Sequence, residues 1–473
     1  MADILSIGGE PIFDERIVGI ETHTYNPYVN TTFGHNDEIR IPIQQQDLYT
    51  LPCDSFLYVE GRLYDDGATT LEGREDQRQY AKLVNNCVAF MFDEIRYELD
   101  GVEIDRCRNV GITSTIKNYV SLTAERARRL QNAGWSYPTN ESNLNSASHQ
   151  FNFCVPLNIL LGFCEDYKRV VINARHELIL IRARNDVNCV VDPKKTVPRD
   201  PAKDPKITLL KVQRRMPHVA LNDVTELSLL RTLESGRFLS AGFRSWDLYE
   251  FPLLQSTTKH SWAVKVAPQL EKPRYVIFAL QTGRRNEFTE DASRFDHCAL
   301  ANVKLYLNSE FYPYDDVNAD FESDKFAVLY EMYAKFRGAY YGDSRDDALF
   351  SPREFAWVAP LVVIDCSRQN ESVKSATVDV RIEFEKINNN NNLPTLQQLM
   401  QQLQEQRLLI EDLQRRLMER DQPQEQAQQQ VDAEQPLREQ PLAQQQQGLI
   451  STMLTKFMGP TPGPAAGAGA AAA

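Results

Sequence analysis

Candidate acid and base groups are scattered through this sequence. Three pairs of adjacent carboxylates occur, at Asp65-Asp66, Asp315-Asp316 and Asp346-Asp347. Neighbours on a strand point to opposite faces of the sheet, whereas acid/base catalysis needs two carboxylates that converge on one bond. We therefore interpret these pairs as acidic loop residues. His176 stands beside Glu177 in a run typical of a β-strand, and we interpret it as a structural histidine rather than a catalytic one.

Motifs that mark common enzyme and metal-binding classes do not occur in the sequence. It has no Gly-rich phosphate loop, no His-Glu-x-x-His and no Gly-x-Ser-x-Gly. The eight cysteines form no Cys-x-x-Cys pair and no Cys/His cluster, so we expect buried thiols in a reducing compartment. The sequence predicts no catalytic residues, no metal site, no cofactor and no enzymatic activity.

One basic cluster could contact the phosphates of nucleic acid through salt-dependent ion pairs. It surrounds a proline-rich segment that contains only three Asp, whereas the whole chain carries a formal charge of −13. That overall charge gives no global reason to bind nucleic acid. We prefer a solvated linker and keep a nucleic-acid-facing surface as the alternative. The cluster comprises Lys194, Lys195, Arg199, Lys203, Lys206, Lys211, Arg214 and Arg215.

Two stretches of similar design organise the chain. In Phe90–Asp105, two alternating runs flank Asp100-Gly101, which is a strong signal for a tight β-hairpin. Leu300–Tyr314 repeats this pattern with Asn308-Ser309 at the turn, 208 residues later. The recurrence indicates that one β-rich unit occurs twice.

A second pair of motifs supports the duplication. Phe153–Phe163 resembles Phe355–Asp365, and the Pro-Leu dipeptides that they share lie 204 residues apart. Each is followed by a β-rich run, at 170–184 and at 376–386. A period of about 200 residues suits two tandem all-β domains.

About eight short strands per unit, joined by long connections, favour jelly-roll β-sandwiches over simple barrels. Helical spacing predicts one short helical insertion in each roll, at 113–129 and 324–337. The predicted order is an N-terminal arm (1–15), a first jelly roll (16–191), a Pro/charged linker (192–205), a second jelly roll (206–388), an Asn-rich linker (389–395), a coiled coil (396–420), a Gln-rich disordered segment (421–447), and a short apolar segment with a Gly/Ala/Pro tail (448–473).

The predicted coiled coil would join copies of the chain. Its apolar residues alternate at spacings of three and four, the seam of a heptad repeat. An amphipathic helix that folds back onto its own domain is the alternative, and the pattern does not choose a strand number. The later apolar segment, Leu449–Met458, is either a docking peptide or a marginal helix. The seam residues are Leu396, Leu399, Leu403, Gln406, Ile410, Leu413 and Leu417.

The N-terminus lacks the basic start and apolar core of a signal peptide, and no apolar run approaches the roughly 18 residues that span a bilayer. We therefore expect a protein that is made in the cytosol and is not secreted.

Several motifs resemble those of a known family. Asn36–Pro42, Met91–Gly101, Val155–Tyr167 and Arg175–Asp186 are similar to stretches of the double jelly-roll capsid lineage. The resemblance is strongest to its arthropod branch of double jelly roll-like proteins, which are related to the major capsid proteins of Maverick/Polinton elements and large DNA viruses. It covers roughly residues 12–388, and the Gln-rich C-terminal part lies outside it.

The resemblance implies a structural protein without catalytic residues. Its protomers would form homotrimers, in which six jelly rolls make a pseudo-hexagonal capsomer that tiles a virion-like shell in the cytoplasm or nucleus. A minor capsid protein would be a further partner and nucleic acid an indirect one. Two other interpretations stay open: a host-retained scaffold or adaptor that recruits partners through the coiled coil, and a jelly-roll carbohydrate-active or carbohydrate-binding protein.

Overall fold

The computed structural model divides the chain into two compact units, residues 1–386 with 447–473, and residues 387–446. All strands and helices given below belong to the first unit. The structure describes residues 16–28, 32–44, 49–64, 69–71, 74–79, 81–137, 149–192, 204–236, 240–251, 254–255, 257–264, 273–308, 310–342, 347–368, 379–387 and 450–457.

In the described residues, the first roll contains fourteen strands, five of them of only two or three residues, and four α-helices. The strands are β1 (Ile17–Tyr25), β2 (Glu38–Ile43), β3 (Tyr49–Thr50), β4 (Phe56–Tyr64), β5 (Thr69–Leu71), β6 (Arg74–Gln79), β7 (Lys82–Leu83), β8 (Phe92–Leu99), β9 (Val102–Arg108), β10 (Gln150–Pro156), β11 (Val171–Ile172), β12 (His176–Arg182), β13 (Val190–Val191) and β14 (Lys206–Leu221). The helices are α1 (Cys87–Phe90), α2 (Val110–Ser121), α3 (Ala124–Arg129) and α4 (Gly162–Asp166).

The second roll contains eight strands and follows helix α5 (Asp223–Glu234). Its strands are β15 (Arg244–Phe251), β16 (Lys259–Val264), β17 (Pro273–Leu280), β18 (Leu300–Leu307), β19 (Glu310–Tyr312), β20 (Val362–Asp365), β21 (Val380–Lys386) and β22 (Ile450–Phe457). Helices α6 (Ala327–Tyr341) and α7 (Pro352–Val358) lie between β19 and β20.

The two rolls share one strand order, which confirms the predicted all-β double jelly roll. The first has sheets β1-β14-β4-β10 and β2-β12-β8-β9, and the second has β15-β22-β17-β20 and β16-β21-β18-β19. The eight principal strands of the first roll are β1, β2, β4, β8, β9, β10, β12 and β14, and those of the second roll are β15 to β22. When they are numbered in chain order, one sheet of each roll pairs strand one with eight, eight with three, and three with six. The other sheet of each roll pairs strand two with seven, seven with four, and four with five. Strands β8 and β18 begin 208 residues apart, as the hairpin repeat predicts.

Each roll buries the alternate side chains of its strands. In β4, Leu57, Val59, Gly61 and Leu63 are buried while the residues between them are only half-buried, and β21 buries Val380, Ile382 and Phe384. The hairpin turn after β8 places Asp100 and Gly101 at positive φ, the left-handed geometry that an Asp-Gly turn favours.

The second jelly roll does not begin at residue 206, where the sequence predicted its start. Lys206–Leu221 closes the first roll, because β14 pairs with β4 over 206–215 and with β1 over 214–221. The proline-rich segment before it therefore connects two strands of one roll rather than two domains. An alternating apolar pattern predicts a strand but does not identify its partner.

Two further predictions, for the C-terminal apolar segment and for the helix at 113–129, differ in detail from the structure. The segment after residue 449 forms strand β22 of the second roll instead of a helix or a separate docking peptide. The helix predicted at 113–129 is broken before Ala124, where the extended Thr123 accepts a hydrogen bond from Arg126 N at its Oγ1 and starts α3.

Substitution of Gly61 tests the pairing of β4 with β14. A Cβ at Gly61 would lie 2.5 Å from the Phe151 ring and 2.9 Å from Thr208 O of β14, close to a register shift at Leu209–Lys211. We expect Gly61→Ala to lower the free energy of unfolding by about 1–3 kcal/mol in urea titrations. The control is Gly19→Ala in β1, where nothing lies within 4 Å of the added Cβ. Equal effects at the two positions would contradict the close packing of β14 against β4.

Candidate functional site

The junction between the two rolls is centred on Arg244, the first residue of β15. Its guanidinium Nε and Nη2 donate to Asp166 Oδ2 and Oδ1 at 2.7 and 2.6 Å, and its Nη1 donates to Tyr340 O at 2.7 Å. The same guanidinium carbon lies 3.6 Å from the centroid of the Tyr340 ring. Burial alone would lower the pKa of Arg244, but the hydrogen bonds with Asp166 hold it above its usual value. One cation therefore joins α4 of the first roll to α6 of the second.

A second set of polar contacts crosses the junction beside Arg244. Lys117 Nζ lies 2.9 Å from Glu165 Oε2 and also donates to Asn158 O at 2.9 Å. Tyr341 Oη donates to the other oxygen of Glu165 at 2.5 Å. Burial, with a further contribution from Glu165, raises the pKa of Tyr341 well above its usual value. Arg244 and Lys117 thus each pair with a carboxylate at the junction, Asp166 and Glu165 respectively.

The third part of the junction is an aromatic cluster between α2 and α6. Tyr119 Oη donates to Ser293 O at 3.0 Å, and Tyr333 Oη donates to Tyr119 O at 3.1 Å. Phe350 packs against Tyr119 with ring centroids 5.0 Å apart. The rolls also approach each other closely at Gly162, since a Cβ there would lie 1.7 Å from Arg244 O. The two sandwiches therefore form one packed body.

A buried polar chain crosses the core of the first roll. Arg214 Nη2 on β14 donates to Tyr97 Oη on β8 at 2.5 Å, and Tyr97 Oη lies 2.8 Å from His176 Nδ1 on β12. On the other side of the ring, His176 Nε2 lies 2.8 Å from Thr50 Oγ1. The Thr50 hydroxyl donates to Val171 O, so it accepts from His176 Nε2, and in a neutral imidazole Nδ1 then accepts from Tyr97 Oη. Burial, followed by the charge of Arg214, lowers the pKa of His176 to about 3.

The structure describes four residues of the basic cluster predicted from the sequence, Lys206, Lys211, Arg214 and Arg215, and one of them lies in the core. Arg214 is fully buried in the polar chain, so it cannot meet a phosphate in this fold. Lys211 Nζ lies 3.3 Å from Glu60, and the Arg215 guanidinium lies 5.5 Å from the Tyr58 ring centroid. Lys206 is exposed. Lys194, Lys195, Arg199 and Lys203 lie outside the described residues, as does the whole predicted coiled-coil seam from Leu396 to Leu417.

Among the other candidate catalytic groups, Asp65, Asp66 and Asp346 lie outside the described residues. The prediction that His176 is structural agrees with its burial between two hydroxyl groups, and Asp316 pairs with Lys304 at 3.0 Å. All eight cysteines are free thiols, and six of them are buried. Within the described ranges, no group of three or more His, Cys, Asp or Glu side chains could hold a metal ion. None of the helices described here is long and apolar enough to cross a membrane.

One cavity of about 980 Å³ lies where α3 of the first roll faces α6 and the start of α7. Arg126, Arg129 and Arg337 line it together with Tyr330. Its Glu125 carboxylate is engaged by Arg129 at 2.6 Å. The lining therefore lacks the pair of free, converging carboxylates that a glycosidase needs.

An apolar surface remains exposed at one edge of the first roll. We call it the edge surface and define it by Val18 and Ile20 on β1 and by Val224 and Leu227 on α5, which are exposed by 72%, 56%, 77% and 54%. The two elements meet where Asn222 N, at the N-cap of α5, donates to Arg16 O at 3.0 Å. None of the α5 side chains is buried. The sequence reasoning missed this helix, although the Asn222 cap and the leucines that follow could have indicated it.

Removal of Arg244 tests the junction. Arg244→Met leaves the Asp166 carboxylate, whose side chain is only 15% exposed, without its partner. We expect a loss of about 2–5 kcal/mol in the free energy of unfolding, and partial recovery in the double variant with Asp166→Asn. Arg129→Met is the control, because its pair with Glu125 is mostly exposed and should contribute under about 1 kcal/mol. Similar losses in the two single variants would contradict a buried junction.

The buried histidine predicts an acid-sensitive first roll. An unfolded histidine takes up a proton below about pH 6.5, whereas folded His176 resists protonation down to about pH 3. The contribution of His176 to stability is therefore complete above pH 6.5 and is lost as the pH falls toward 3, by up to about 1.4 kcal/mol per pH unit. We expect His176→Gln to flatten this acid limb between pH 6 and 4 in urea titrations. An unchanged slope would show that His176 is not held neutral.

Comparisons with known proteins agree with this architecture. The family model of the double jelly roll-like domain matches residues 81–400. No curated protein matches the chain. Among solved structures, the Faustovirus major capsid protein has a TM-score of 0.50 at 9% identity, over 81% of this chain and 89% of that chain. A chain of the Sputnik virophage, from a cryo-EM structure, has a TM-score of 0.52 at 7% identity, over 80% and 84%.

At these identities the likeness to the two viral structures concerns the fold alone. The family model, however, spans more than half of the chain and extends over strands of both rolls, from β7 to β21. The chain thus belongs to the double jelly roll-like domain family.

Proposed function

We propose that this chain is a structural, non-enzymatic protein that assembles with copies of itself as a capsid-like protomer. The observation that carries the proposal is the pair of rolls with one strand order, joined by a buried and charge-matched junction. Such a protomer presents two equivalent sandwiches as one body. Three copies around an axis would place six sandwiches in a ring, the pseudo-hexagonal block from which a closed shell can be tiled.

The chemistry of the described residues supports a role in assembly rather than catalysis. Arg244 pairs with Asp166 across the two rolls, Lys117 pairs with Glu165 beside it, and His176, whose pKa burial lowers, is enclosed in the core of the first roll. The Faustovirus protein of the same fold is named a major capsid protein. These observations together favour a virion-like or mobile-element shell as the setting in which the chain works.

The edge surface is our candidate for the contact between protomers. Helix α5 has twelve residues, and isolated helices of that length are marginal in water. Since none of its side chains is buried in its own protomer, the helix would gain stability by packing against a second copy. Strand β1 beside it is an edge strand, because it pairs only with β14 in the described part of the sheet. Unpaired strand edges and exposed apolar side chains are both typical of association sites.

A charge placed in the edge surface should prevent trimer formation. We expect the purified wild-type chain to have three times the protomer mass of 54.2 kDa in size-exclusion chromatography with light scattering. The double variant Val18→Asp with Leu227→Asp should elute as a monomer at the same concentration, because buried carboxylates without partners oppose association. Its circular dichroism should be unchanged, since both side chains are exposed in the protomer.

Val328→Asp is the matched control, because Val328 is 56% exposed on α6, away from the edge surface. This variant should remain trimeric. A wild-type chain that stays monomeric at high concentration would contradict self-assembly. A trimer that survives the double substitution would move the contact to another face.

A further inference from the structure

Strand β22 is an interior strand of the second roll. Every residue from Ile450 to Phe457 has a partner on β15, and the strand pairs along its other side with β17. Without β22, the strands β15 and β17 would face each other across a slot one strand wide, about 9–10 Å between their axes. Both walls of this slot would then present unpaired backbone N–H and C=O groups. The second roll is therefore incomplete until a strand fills the slot.

The slot has the features of a strand-binding site. Its β17 wall is almost entirely buried, including Val276 and Phe278 at 0% exposure, and Trp246 on β15 is 4% exposed. The segment that fills it, Ile-Ser-Thr-Met-Leu-Thr-Lys-Phe, is rich in residues that favour strands. Addition of an extended segment to open strand edges is an established mode of peptide recognition, in which the main-chain hydrogen bonds provide the affinity.

The connection to this strand is unusually long. Residues 387–449 join β21 to β22, a distance of 63 residues, whereas the equivalent strands of the first roll, β12 and β14, are joined by 23 residues. Loop-closure entropy grows only slowly with length, so the long connection adds little to the free energy of filling the slot. Sixty-three residues can reach up to about 200 Å when extended, which exceeds the width of a neighbouring sandwich. The same segment can thus meet the slot of its own chain or that of an adjacent one.

We propose that residues 450–457 are an exchangeable strand, and that the slot between β15 and β17 takes this strand from a second copy of the chain. Exchange preserves the strand pairing of each roll, so it costs little, and it links copies that the edge surface has first brought together. The proposal rests on the self-assembly proposed above and adds the segment that links the copies. The slot also ends at the junction, because Phe457 pairs with Arg244, the residue that joins the two rolls.

The test uses full-length chains that carry one added cysteine each. Tyr249 is opposite Thr452, and Leu248 is opposite Met453. Adjacent pairs in an antiparallel ladder alternate between wide and narrow spacing, so one of these two pairs has the shorter spacing, which favours a disulfide. A chain with Tyr249→Cys and a differently tagged chain with Thr452→Cys are co-expressed, oxidised and separated on non-reducing gels. The pair Leu248→Cys with Met453→Cys is treated in the same way.

Strand exchange predicts a covalent dimer that carries both tags, at least several-fold above the control. The control is Leu248→Cys with Lys456→Cys, whose positions are out of register because Lys456 pairs with Ser245. It also measures the background from the eight native thiols. The double variant Tyr249→Cys/Thr452→Cys in one chain shows whether the pair can close within a protomer.

The possible results separate this inference from the proposed function. A disulfide that closes only within the double variant, in chains that light scattering shows to be trimeric, overturns strand exchange and leaves assembly intact. The same result in chains that remain monomeric contradicts both. A dimer that carries both tags supports exchange. For the pair Leu248→Cys with Met453→Cys, loss of the dimer when Thr452→Pro is added to the Met453→Cys chain would confirm that the slot is the binding site, because proline cannot donate the backbone hydrogen bond of residue 452.

Discussion

The guanidinium of Arg244 is the contact on which the arrangement of the two rolls depends. It binds both oxygens of Asp166, packs on the Tyr340 ring and lies beside the close approach at Gly162. A planar guanidinium can make all these contacts at once, whereas an ammonium group cannot. Together with the neighbouring contacts of Lys117 and Tyr341 with Glu165, and with the aromatic cluster, the Arg244 guanidinium fixes the two rolls against each other. A protomer that tiles a surface needs such a fixed arrangement.

Within each roll, the last principal strand completes the structure. Strand β14 lies between β1 and β4, and β22 lies between β15 and β17, so both rolls are closed by an interior strand that comes late in the chain. The first roll secures its closing strand with Arg214, which reaches the core and starts the polar chain through Tyr97 and His176. The second roll receives its closing strand over a much longer connection. This difference between otherwise matching rolls is where we expect the association of copies to be controlled.

Much of the fold could be predicted from the sequence, because local signals carried it. Asp100-Gly101 requires positive φ at both positions, which gives the hairpin, and its recurrence 208 residues later gives the duplication. The predictions that failed concern features that are decided by tertiary contacts. The alternating pattern at 206–221 predicts a strand but does not show that it pairs with β1 and β4. The charge of Arg214 suggests a surface position, although the residue is buried. The short apolar run at 450–457 is compatible with a helix as well as with the strand that it forms. No local signal indicates that Arg244 and Asp166 meet.

Electron microscopy of the purified full-length chain tests the central claim most directly. The account predicts particles with threefold symmetry and six lobes of similar size, one for each jelly roll, and at higher concentration sheets or shells built from them. Single two-lobed particles at every concentration would contradict the claim that this double jelly roll is an assembly unit.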